Sequence, residues 1–399
     1  MAASVKRKNK PALLSSLVGC GSAVNGVCTV AHEEAVISVS DDRTLRVWAR
    51  RTDVQYWPTI CHTYQCAASA LAYDRESRRL FVGLGSGSIH EYVLSEDINR
   101  MEPKRNYNAH TGRVTALKFN IENNWLLSVS RDKSFEWHCT STGRPRGNFK
   151  TQSWCTAVEL DTSTKHAFVA DYSGVITVLK LDPNNFQEVT TLRGHQSSVR
   201  TLCWDQEKRL LFSGGFDGIV VIWDIGSRQG TAYELTGHRG CVKSLAYSST
   251  THKLLSTAED ARIGLWDINT ERQETAEWGE GGQCEKCGTP FFWNVKMMWE
   301  RKTIGGRQHH CRKCGRVVCA KCSESQSTFP PMGFEVPVRM CSDCHSSITT
   351  EQRSPMAEFM EMRPVVVAMY LDEEKKLMIT ADTDNKIGVW DIKSLLAST

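Results

Sequence analysis

The stretch from residue 198 to residue 223 decides the fold class of this chain. It contains three short apolar segments, SVRTLCW (198–204), RLLFSGG (209–215) and IVVIW (219–223), separated by polar and glycine-containing turns. Apolar residues recur in these segments with a period of two, which is typical of β-strands, and helical periodicity is not sustained. The stretch therefore predicts consecutive strands joined by turns.

The same pattern recurs along the chain and ends each time in an aromatic or large apolar residue. These residues are Trp48, Tyr92, Trp137, Leu179, Trp223, Trp266 and Trp390. They follow one another at intervals of 42 to 45 residues, and only the last interval, of 124 residues, is longer. A regular period of this length indicates a repeat fold. The long interval corresponds to one ordinary repeat with about 81 residues inserted.

Two further residue types stand at fixed places in several repeats. A His follows a small residue in three repeats (His110, His195, His238), and an Asp precedes the aromatic residue by six positions in four (Asp42, Asp217, Asp260, Asp384). These features resemble the WD-repeat family over roughly residues 10–277 and 364–392. The resemblance implies an all-β, seven-bladed propeller of four-stranded blades, with residues 11–18 supplying the outer strand of the last blade.

One group of residues in the repeats has the composition of a hydrolase triad. The group is His195, Ser213 and Asp217, and a similar group, His238, Ser256 and Asp260, recurs 43 residues later. A triad is defined by geometry and role, and a catalytic site is not repeated in each blade. We interpret both groups as the structural His–Ser–Asp–Trp hydrogen-bond network that the resemblance implies, and we predict no catalytic residue.

Positive charge and cysteine concentrate in one window of the chain, between Trp278 and His345. The chain of 399 residues has a net charge of +4, and this window accounts for all of it. A neutral propeller and a short basic segment argue against nucleic-acid binding.

The longest apolar run is far below the ~18 residues of a membrane span. A signal-peptide-like N-terminus is interrupted by Pro11, Ser15 and Ser16, so we predict a cytoplasmic protein in a reducing compartment.

The window contains eight of the 16 cysteines, arranged as four C-x-x-C pairs. They are Cys284 and Cys287, Cys311 and Cys314, Cys319 and Cys322, and Cys341 and Cys344. Each pair can bring two thiolates to one ion, and Zn²⁺ prefers four tetrahedral ligands. The pattern predicts two Zn²⁺ ions in structural sites, because sulfur fills every position and none is left for an activated water. Spacing alone leaves open which pairs share an ion.

A basic motif overlaps these cysteines. The string RQHHCRKCG (307–315), with RMC (339–341), resembles the FYVE-domain signatures R-(R/K)-H-H-C-R-x-C-G and R-V-C. The resemblance implies interleaved ligands, with Cys284, Cys287, Cys319 and Cys322 on one ion and Cys311, Cys314, Cys341 and Cys344 on the other. It also implies that phosphatidylinositol 3-phosphate is bound through Arg307, His309, His310, Arg312 and Arg339.

The chain departs from the FYVE pattern in three places. Gln308 replaces a basic residue, and Met340 replaces Val. The family's W-x-x-D reads Trp278-Gly279-Glu280-Gly281, without the Asp that helps the family exclude more highly phosphorylated headgroups. We therefore expect the selectivity for the 3-phosphate to be less strict than in the family.

An apolar loop ahead of the basic motif enters the bilayer in FYVE domains. By position the candidates here are Thr303 and Ile304, followed by Met298 and Trp299. The aromatic residues earlier in the same segment are expected to pack over the zinc core; they are Phe291, Phe292 and Trp293.

A propeller interrupted in this way resembles the WD-repeat and FYVE-domain-containing protein family. The predicted units are blades one to six over 10–277, the zinc domain over 278–348, a linker over 349–363 and the last blade over 364–393. The resemblance implies an adaptor that binds phosphatidylinositol 3-phosphate on early endosomes and protein partners through its propeller. One headgroup and a short loop bind a membrane weakly, so a partner or homo-oligomerisation is expected to strengthen the attachment.

Two alternatives belong to other functional classes. Cross-braced double-zinc domains also occur in ubiquitin ligases, although those usually include a His ligand and lack the basic motif. The second alternative is a nucleic-acid-binding propeller, which the charge distribution disfavours.

Overall fold

The computed structural model describes residues 10–30, 33–51, 55–183, 185–226, 232–274, 276 and 278–396. The basic N-terminal stretch before residue 10 and the predicted domain boundary at residue 277 lie outside the described residues. No helix of the described part is both long and apolar enough to cross a membrane.

The strands of the first 267 residues hold five to nine residues each. They are β1 (Ala12–Leu17), β2 (Val24–Thr29), β3 (Ala35–Ser40), β4 (Thr44–Arg50), β5 (Tyr56–Thr63), β6 (Ala68–Tyr73), β7 (Arg79–Leu84), β8 (Ser88–Leu94), β9 (Met101–Asn108), β10 (Val114–Asn120), β11 (Trp125–Ser130), β12 (Ser134–Cys139), β13 (Pro145–Lys150), β14 (Cys155–Asp161), β15 (His166–Asp171), β16 (Val175–Asp182), β17 (Asn185–Arg193), β18 (Val199–Asp205), β19 (Leu210–Gly215), β20 (Ile219–Asp224), β21 (Ala232–Thr236), β22 (Val242–Ser248), β23 (Lys253–Ala258) and β24 (Arg262–Asp267).

The cysteine-rich segment that follows has shorter elements. They are α1 (Val295–Arg301), β25 (Gln308–His310), β26 (Val317–Cys319), β27 (Gln326–Phe329), β28 (Phe334–Arg339) and α2 (Ser342–Ser347), with 3₁₀ turns at Lys321–Ser323, Pro330–Met332 and Glu351–Arg353. The last elements are β29 (Ala357–Glu361), β30 (Val366–Asp372), β31 (Leu377–Asp382), β32 (Ile387–Asp391) and α3 (Lys393–Leu396).

Within the described residues, the strands form seven four-stranded blades. Blades one to five each take four consecutive strands, from β2–β5 to β18–β21. Blade seven consists of β30, β31, β32 and β1, and β1 pairs with β32 from Ala12–Asp391 to Leu17–Ile387. The prediction of a seven-bladed propeller is confirmed, and its N-terminal strand closes the last blade.

The inserted domain lies inside blade six. The outer strand of that blade is β29, which pairs with β24 from Trp266–Ala357 to Arg262–Glu361. Phe359 packs edge-on against Trp266 with 5.3 Å between ring centroids, and Met360 is buried in the blade core. The prediction of a linker over 349–363 is therefore wrong for residues 357–361. The repeat period could not reveal this strand, because the insertion separates it from the rest of its blade.

The triad-like residues of blade five form a buried network. The side chain of His195 has no exposed surface. Its Nε2 lies 2.7 Å from Ser213 Oγ and its Nδ1 lies 3.1 Å from Asp217 Oδ2. Trp223 Nε1 donates to the same Ser213 Oγ at 2.8 Å. Blade six repeats this arrangement around His238, so the geometry is that of a structural network that links strands.

Candidate functional site

The eight cysteines of the inserted domain come together in two groups of four. The groups are Cys284, Cys287, Cys319 and Cys322, and Cys311, Cys314, Cys341 and Cys344, with the sulfur atoms of each group within 4.8 Å of one another. This is the interleaved arrangement that the FYVE resemblance implied.

Sulfur separations test whether these groups fit zinc. The Sγ atoms of Cys287 and Cys319 are 3.6 Å apart, and those of Cys314 and Cys341 are 3.9 Å apart. A tetrahedral Zn²⁺ with Zn–S bonds of about 2.3 Å requires S–S distances of about 3.8 Å, whereas a disulfide requires about 2.05 Å. The two groups therefore fit two Zn²⁺ ions in structural sites.

Local backbone geometry explains why the C-x-x-C pairs form these clusters. Gly288 and Gly315 follow the first two pairs with φ values of 70° and 72°. Each of these glycines donates its N–H to the carbonyl of the first cysteine of its pair, at 2.8 Å to Cys284 and 2.9 Å to Cys311. The left-handed conformation, which favours glycine, closes the turn and brings the two thiols of the pair together.

A small apolar core lies around the sulfur clusters. Phe291, Phe329, Phe334 and Met340 are fully or almost fully buried there, together with four of the cysteines, Cys284, Cys311, Cys319 and Cys341. A core of this size contributes little to the stability of an independent domain, so metal binding must supply much of its folding free energy.

The basic motif runs through β25, which pairs with β26. Successive side chains of a strand point to opposite faces, so His309 and His310 face different sides. Burial holds the pKa of His309 below its ordinary value, and the nearby charges of Arg339 and Arg307 lower it further. Three of the five predicted lipid contacts, Arg307, His309 and Arg339, therefore lie near one another.

Arg339 is fixed by contacts of its own. Its Nη1 donates to the carbonyl O of Ser323 at 2.7 Å. Its carbonyl O accepts the backbone N–H of Arg312 at 3.0 Å. This backbone bond joins the two separate parts of the motif, RQHHCRKCG and RMC.

The other two predicted contacts, His310 and Arg312, lie against Trp278. The rings of Trp278 and His310 stack at 4.5 Å between centroids with an interplanar angle of 18°. The Arg312 guanidinium lies 4.8 Å from the centroid of the same indole, within cation–π distance. His310 Nε2 is 3.1 Å from the carbonyl O of Gly279. In the sequence Trp278 stands out only as the start of the altered W-x-x-D string, and its position between these two side chains was not predicted.

A short helix and the turn after it carry the predicted membrane-insertion residues. Asn294 caps α1 by accepting the N–H of Met297 at 3.2 Å, and Lys302 ends the helix with a φ of 52°. Trp299, on the helix, and Ile304, in the turn after it, are 85% and 88% exposed. Such exposure of large apolar side chains is the mark of an interaction surface.

The neighbours of these two residues complete an apolar tip, which we define as Val295, Trp299, Thr303 and Ile304. Val295 is one helical turn before Trp299 and is also largely exposed, although the sequence did not single it out. Met298 is half-buried, and its Sδ accepts the N–H of Gly305 at 3.0 Å. Met298 therefore supports the tip from within.

The prediction for the preceding aromatic residues is wrong in two of three cases. Phe291 is buried in the zinc core, but Phe292 and Trp293 are 57% and 62% exposed. The indole N–H of Trp293 donates to Oε1 of Gln308 at 2.8 Å, which keeps the ring on the surface beside the basic motif. The substitution at Gln308 thus has a structural partner that the sequence did not reveal.

The inserted domain docks on the outer edge of blade five. Thr236 N donates to the carbonyl O of Gly333 at 2.8 Å, and Thr236 forms a parallel bridge with Phe334, so β28 and β27 extend the sheet of this blade. Gly333 has a φ of 86°, and a side chain there would clash with the carbonyl O of Glu234. Burial raises the pKa of Glu234 and the charge of Arg312 opposes this shift, so a propeller carboxyl group lies near the basic motif.

Comparisons with known proteins match both parts of this architecture. The FYVE zinc finger model matches residues 277–350, and the model of the WD domain, G-beta repeat, matches residues 12–49, 101–135, 186–224 and 230–267. The solved WD40 beta propeller domain of Doa1 covers 97% of this chain and 99% of its own at a TM-score of 0.64, and its 16% identity supports likeness of fold alone. The molecule is thus a WD-repeat propeller that carries a FYVE zinc finger.

Full-length relatives have the same combination. WD repeat and FYVE domain-containing protein 2 of Homo sapiens is 50% identical over 400 residues, which is 100% of both chains. WD repeat and FYVE domain-containing protein 1 of Homo sapiens is 48% identical over 386 residues, which is 97% of this chain and 94% of that protein. The chain belongs to the WD repeat and FYVE domain-containing protein family.

Proposed function

We propose that this chain is a non-catalytic adaptor. Its zinc domain binds phosphatidylinositol 3-phosphate on early endosome membranes, and its propeller binds protein partners in signalling or trafficking. The observation that carries the proposal is the position of the basic motif beside the exposed apolar tip. Membership of the WD repeat and FYVE domain-containing family supports the same function.

The basic motif has the chemistry that a phosphomonoester requires. Arg307 is exposed, and its charge adds to those around His309 and Arg339. Guanidinium groups donate charge-assisted hydrogen bonds in a fork that matches phosphate oxygens. His310 and Arg312, aligned on Trp278, offer further donors for the inositol ring hydroxyls.

The apolar tip adds a second, weaker attachment. Insertion of Trp299 and Ile304 into the acyl boundary of a bilayer would remove their apolar surface from water. One headgroup and one tip give modest affinity, so a second copy of the chain or a protein partner would be needed for stable recruitment. The adaptor would then reside in the cytoplasm and bind endosomes peripherally.

Vesicle sedimentation with and without phosphatidylinositol 3-phosphate tests this function. Arg307→Ala should weaken lipid-dependent pelleting by about tenfold or more, since it removes a charge-assisted hydrogen bond. The matched control is Arg316→Ala, which removes the same charge from a residue whose Nη1 lies 3.7 Å from Asp343. It should cost about fivefold at most, the effect of one charge near an anionic surface.

Two results would overturn the proposal. One is equal binding of the wild-type protein to vesicles with and without the 3-phosphoinositide. The other is an equal loss for both variants, each shown to retain two zinc ions per chain. Discharge of ubiquitin from a loaded conjugating enzyme by the wild-type protein would instead favour the ligase alternative.

A further inference from the structure

The open mouth of the propeller channel has a chemistry that the membrane site does not use. A cavity of about 370 Å³ lies where the innermost strands begin, and only propeller residues of the described chain line it. The zinc domain docks on the outer edge of blade five, away from this cavity. A ligand at the mouth and a membrane at the zinc domain can therefore be bound together.

A β-bulge recurs at the start of every innermost strand and supplies the first ring of lining residues. In each of the seven blades the pairing with the second strand skips the second residue of the first strand. A bulged residue is left out of the ladder and can be re-aimed. The skipped residues all line the cavity; they are Asn25, Ser69, Thr115, Thr156, Arg200, Lys243 and Val367.

A second ring follows from the turn after the second strand of each blade. The first residue of this turn donates its N–H to the carbonyl just before the innermost strand, at 2.8 to 3.0 Å in all seven blades. This common hydrogen bond holds the turns at the mouth of the channel. The residues concerned are Asp41, Gly85, Arg131, Tyr172, Phe216, Glu259 and Thr383.

Charge is unevenly distributed between the blades at this mouth. Two carboxylates of the second ring form ion pairs. Asp41 Oδ1 lies 2.7 Å from Arg113 Nη2, and Glu259 Oε1 lies 2.6 Å from Lys243 Nζ. Within the described residues, no carboxylate forms an ion pair with Arg131 of blade three or Arg200 of blade five. The hydrogen bond from Lys243 lowers the pKa of Glu259, and the charge of Arg200 helps to lower it, so this carboxylate is shared between Lys243 and Arg200. Of the residues at the mouth, four are cations (Arg113, Arg131, Arg200 and Lys243) and two are carboxylates (Asp41 and Glu259), and the excess positive charge lies on the side of blades three to five.

The same side exposes aromatic rings. Trp154, Tyr172 and Phe216 are 46 to 55% exposed. The rings of Trp154 and Tyr172 are 5.6 Å apart, and the Arg131 guanidinium lies 5.8 Å from the indole centroid of Trp154. We define the cation–aromatic arc as Arg131, Trp154, Tyr172, Arg200 and Phe216.

We infer that the cation–aromatic arc binds an acidic linear segment of a partner protein that also carries an aromatic or large aliphatic side chain. Carboxylates of the segment would pair with Arg131 and Arg200, and the apolar side chain would pack on the exposed rings. Thr115 and Thr156 line the same cavity; their hydroxyls donate to propeller carbonyls, so their oxygens would accept from N–H groups of the segment. This inference rests on the propeller half of the proposed function and gives that half a site and a partner chemistry.

The test is selection of peptides from a random displayed library on the full-length protein. The enriched peptides should carry net negative charge and an aromatic or large aliphatic residue, and one is then synthesised with a fluorescent label. The double variant Arg131→Ala/Arg200→Ala should weaken its binding by about tenfold or more, since two charge-assisted contacts are lost. Trp154→Ala should weaken it as well.

Two controls separate this inference from the membrane proposal. Arg193→Ala removes an exposed cation from β17 of blade four, outside the arc, and should leave peptide binding unchanged. Vesicle binding of the double variant should equal that of the wild-type protein, and an unchanged urea midpoint should show that its propeller is folded. If Arg307→Ala loses vesicle binding but still binds the peptide, the two sites are independent and the peptide site is supported.

Three results would overturn the inference. They are a selection that yields no acidic enrichment, acidic peptides whose affinity is the same for the wild-type protein and the double variant, and a labelled oligonucleotide that displaces the acidic peptide from the arc. Any of these results would mean that the cation–aromatic arc does not bind an acidic protein segment.

Discussion

Removal of zinc should loosen one strand of the propeller, although the zinc ligands all lie in the inserted domain. The strand is β29, which reaches blade six only after the chain has passed through that domain. Both connectors are held on the folded zinc domain: Gln273 N donates to Pro331 O at 2.7 Å, and Met356 N donates to a carboxylate oxygen of Glu335 at 3.1 Å. The folded domain thus keeps the two ends of the insertion together.

The expected effect follows from loop closure. About 90 residues separate β24 from β29, whereas the segments 268–272 and 354–356, which lie between the folded domain and the two strands, amount to eight residues. Unfolding of the domain lengthens the loop by about three doublings, and each doubling costs about 0.6 kcal/mol. The free energy that holds β29 in place should fall by about 2 kcal/mol, which is about a thirtyfold increase in the population of the detached strand.

Hydrogen exchange of the full-length protein measures this population. With a zinc chelator, amides of residues 357–361 should exchange about thirtyfold faster, those of 278–348 should lose protection, and those of blade one should not change. The matched control is Arg307→Ala, which alters the same domain but leaves its thiolates intact. Full exchange over 278–348 with less than a threefold change over 357–361 would refute the argument.

Three further predictions concern single positions, and a fourth concerns the N-terminal strand. Ile304→Ala removes three exposed carbons from the apolar tip, worth about 2.4 kcal/mol at about 0.8 kcal/mol per carbon, and should weaken binding to 3-phosphoinositide vesicles by about sixtyfold. Val189→Ala, on an exposed face of blade four, is the matched control, and an equal effect of the two would argue against insertion. Gly333→Ala should undock the zinc domain without zinc loss, seen as a larger radius of gyration in small-angle scattering, and an unchanged radius would contradict the clash. Gly281→Asp would place its Cβ in ordinary contact with the carbonyl O of Gln283, at 3.8 Å. It should increase the preference of vesicle binding for the 3-phosphate over more highly phosphorylated headgroups, whereas an unchanged preference would remove that role from the position. Truncation before Val18 deletes β1 and should lower the urea midpoint of the propeller, and an unaltered midpoint would mean that blade seven closes without it.

Local sequence patterns predicted most of the fold because blades one to five are each built from contacts within about 45 residues. Strand alternation, the repeat interval and the network around His195 and Ser213 all fall inside that distance. The pairing of β29 with β24 does not, since it depends on a contact across the insertion. A period in the sequence gives the length of an insertion but not the strand at which the blade resumes.

In the candidate site, too, features set by neighbouring residues were predicted and features set by distant contacts were not. Cysteine spacing predicted the metal, since a C-x-x-C turn is a local device, while the pairing of clusters came only from family resemblance. The exposure of Trp293 was missed because it depends on a hydrogen bond to Gln308, fifteen positions away. Trp278 was noticed for the altered residue three positions later rather than for its own stack on His310.

Net charge explains neither the basic motif of the zinc domain nor the cation–aromatic arc of the propeller. Eight thiolates and two Zn²⁺ ions subtract four charges from a window of +4, so the loaded zinc domain is formally neutral, as is the propeller. Binding depends on segregation. Sulfur charge is confined to the two zinc clusters while Arg307 stays exposed, and at the channel mouth Asp41 and Glu259 are paired in salt bridges while Arg131 is not. The residues around each group of cations then determine which kind of anionic ligand it suits. Beside Arg307 an apolar tip projects outward and suits a lipid surface, whereas beside Arg131 the rings surround a cavity and suit a protein segment.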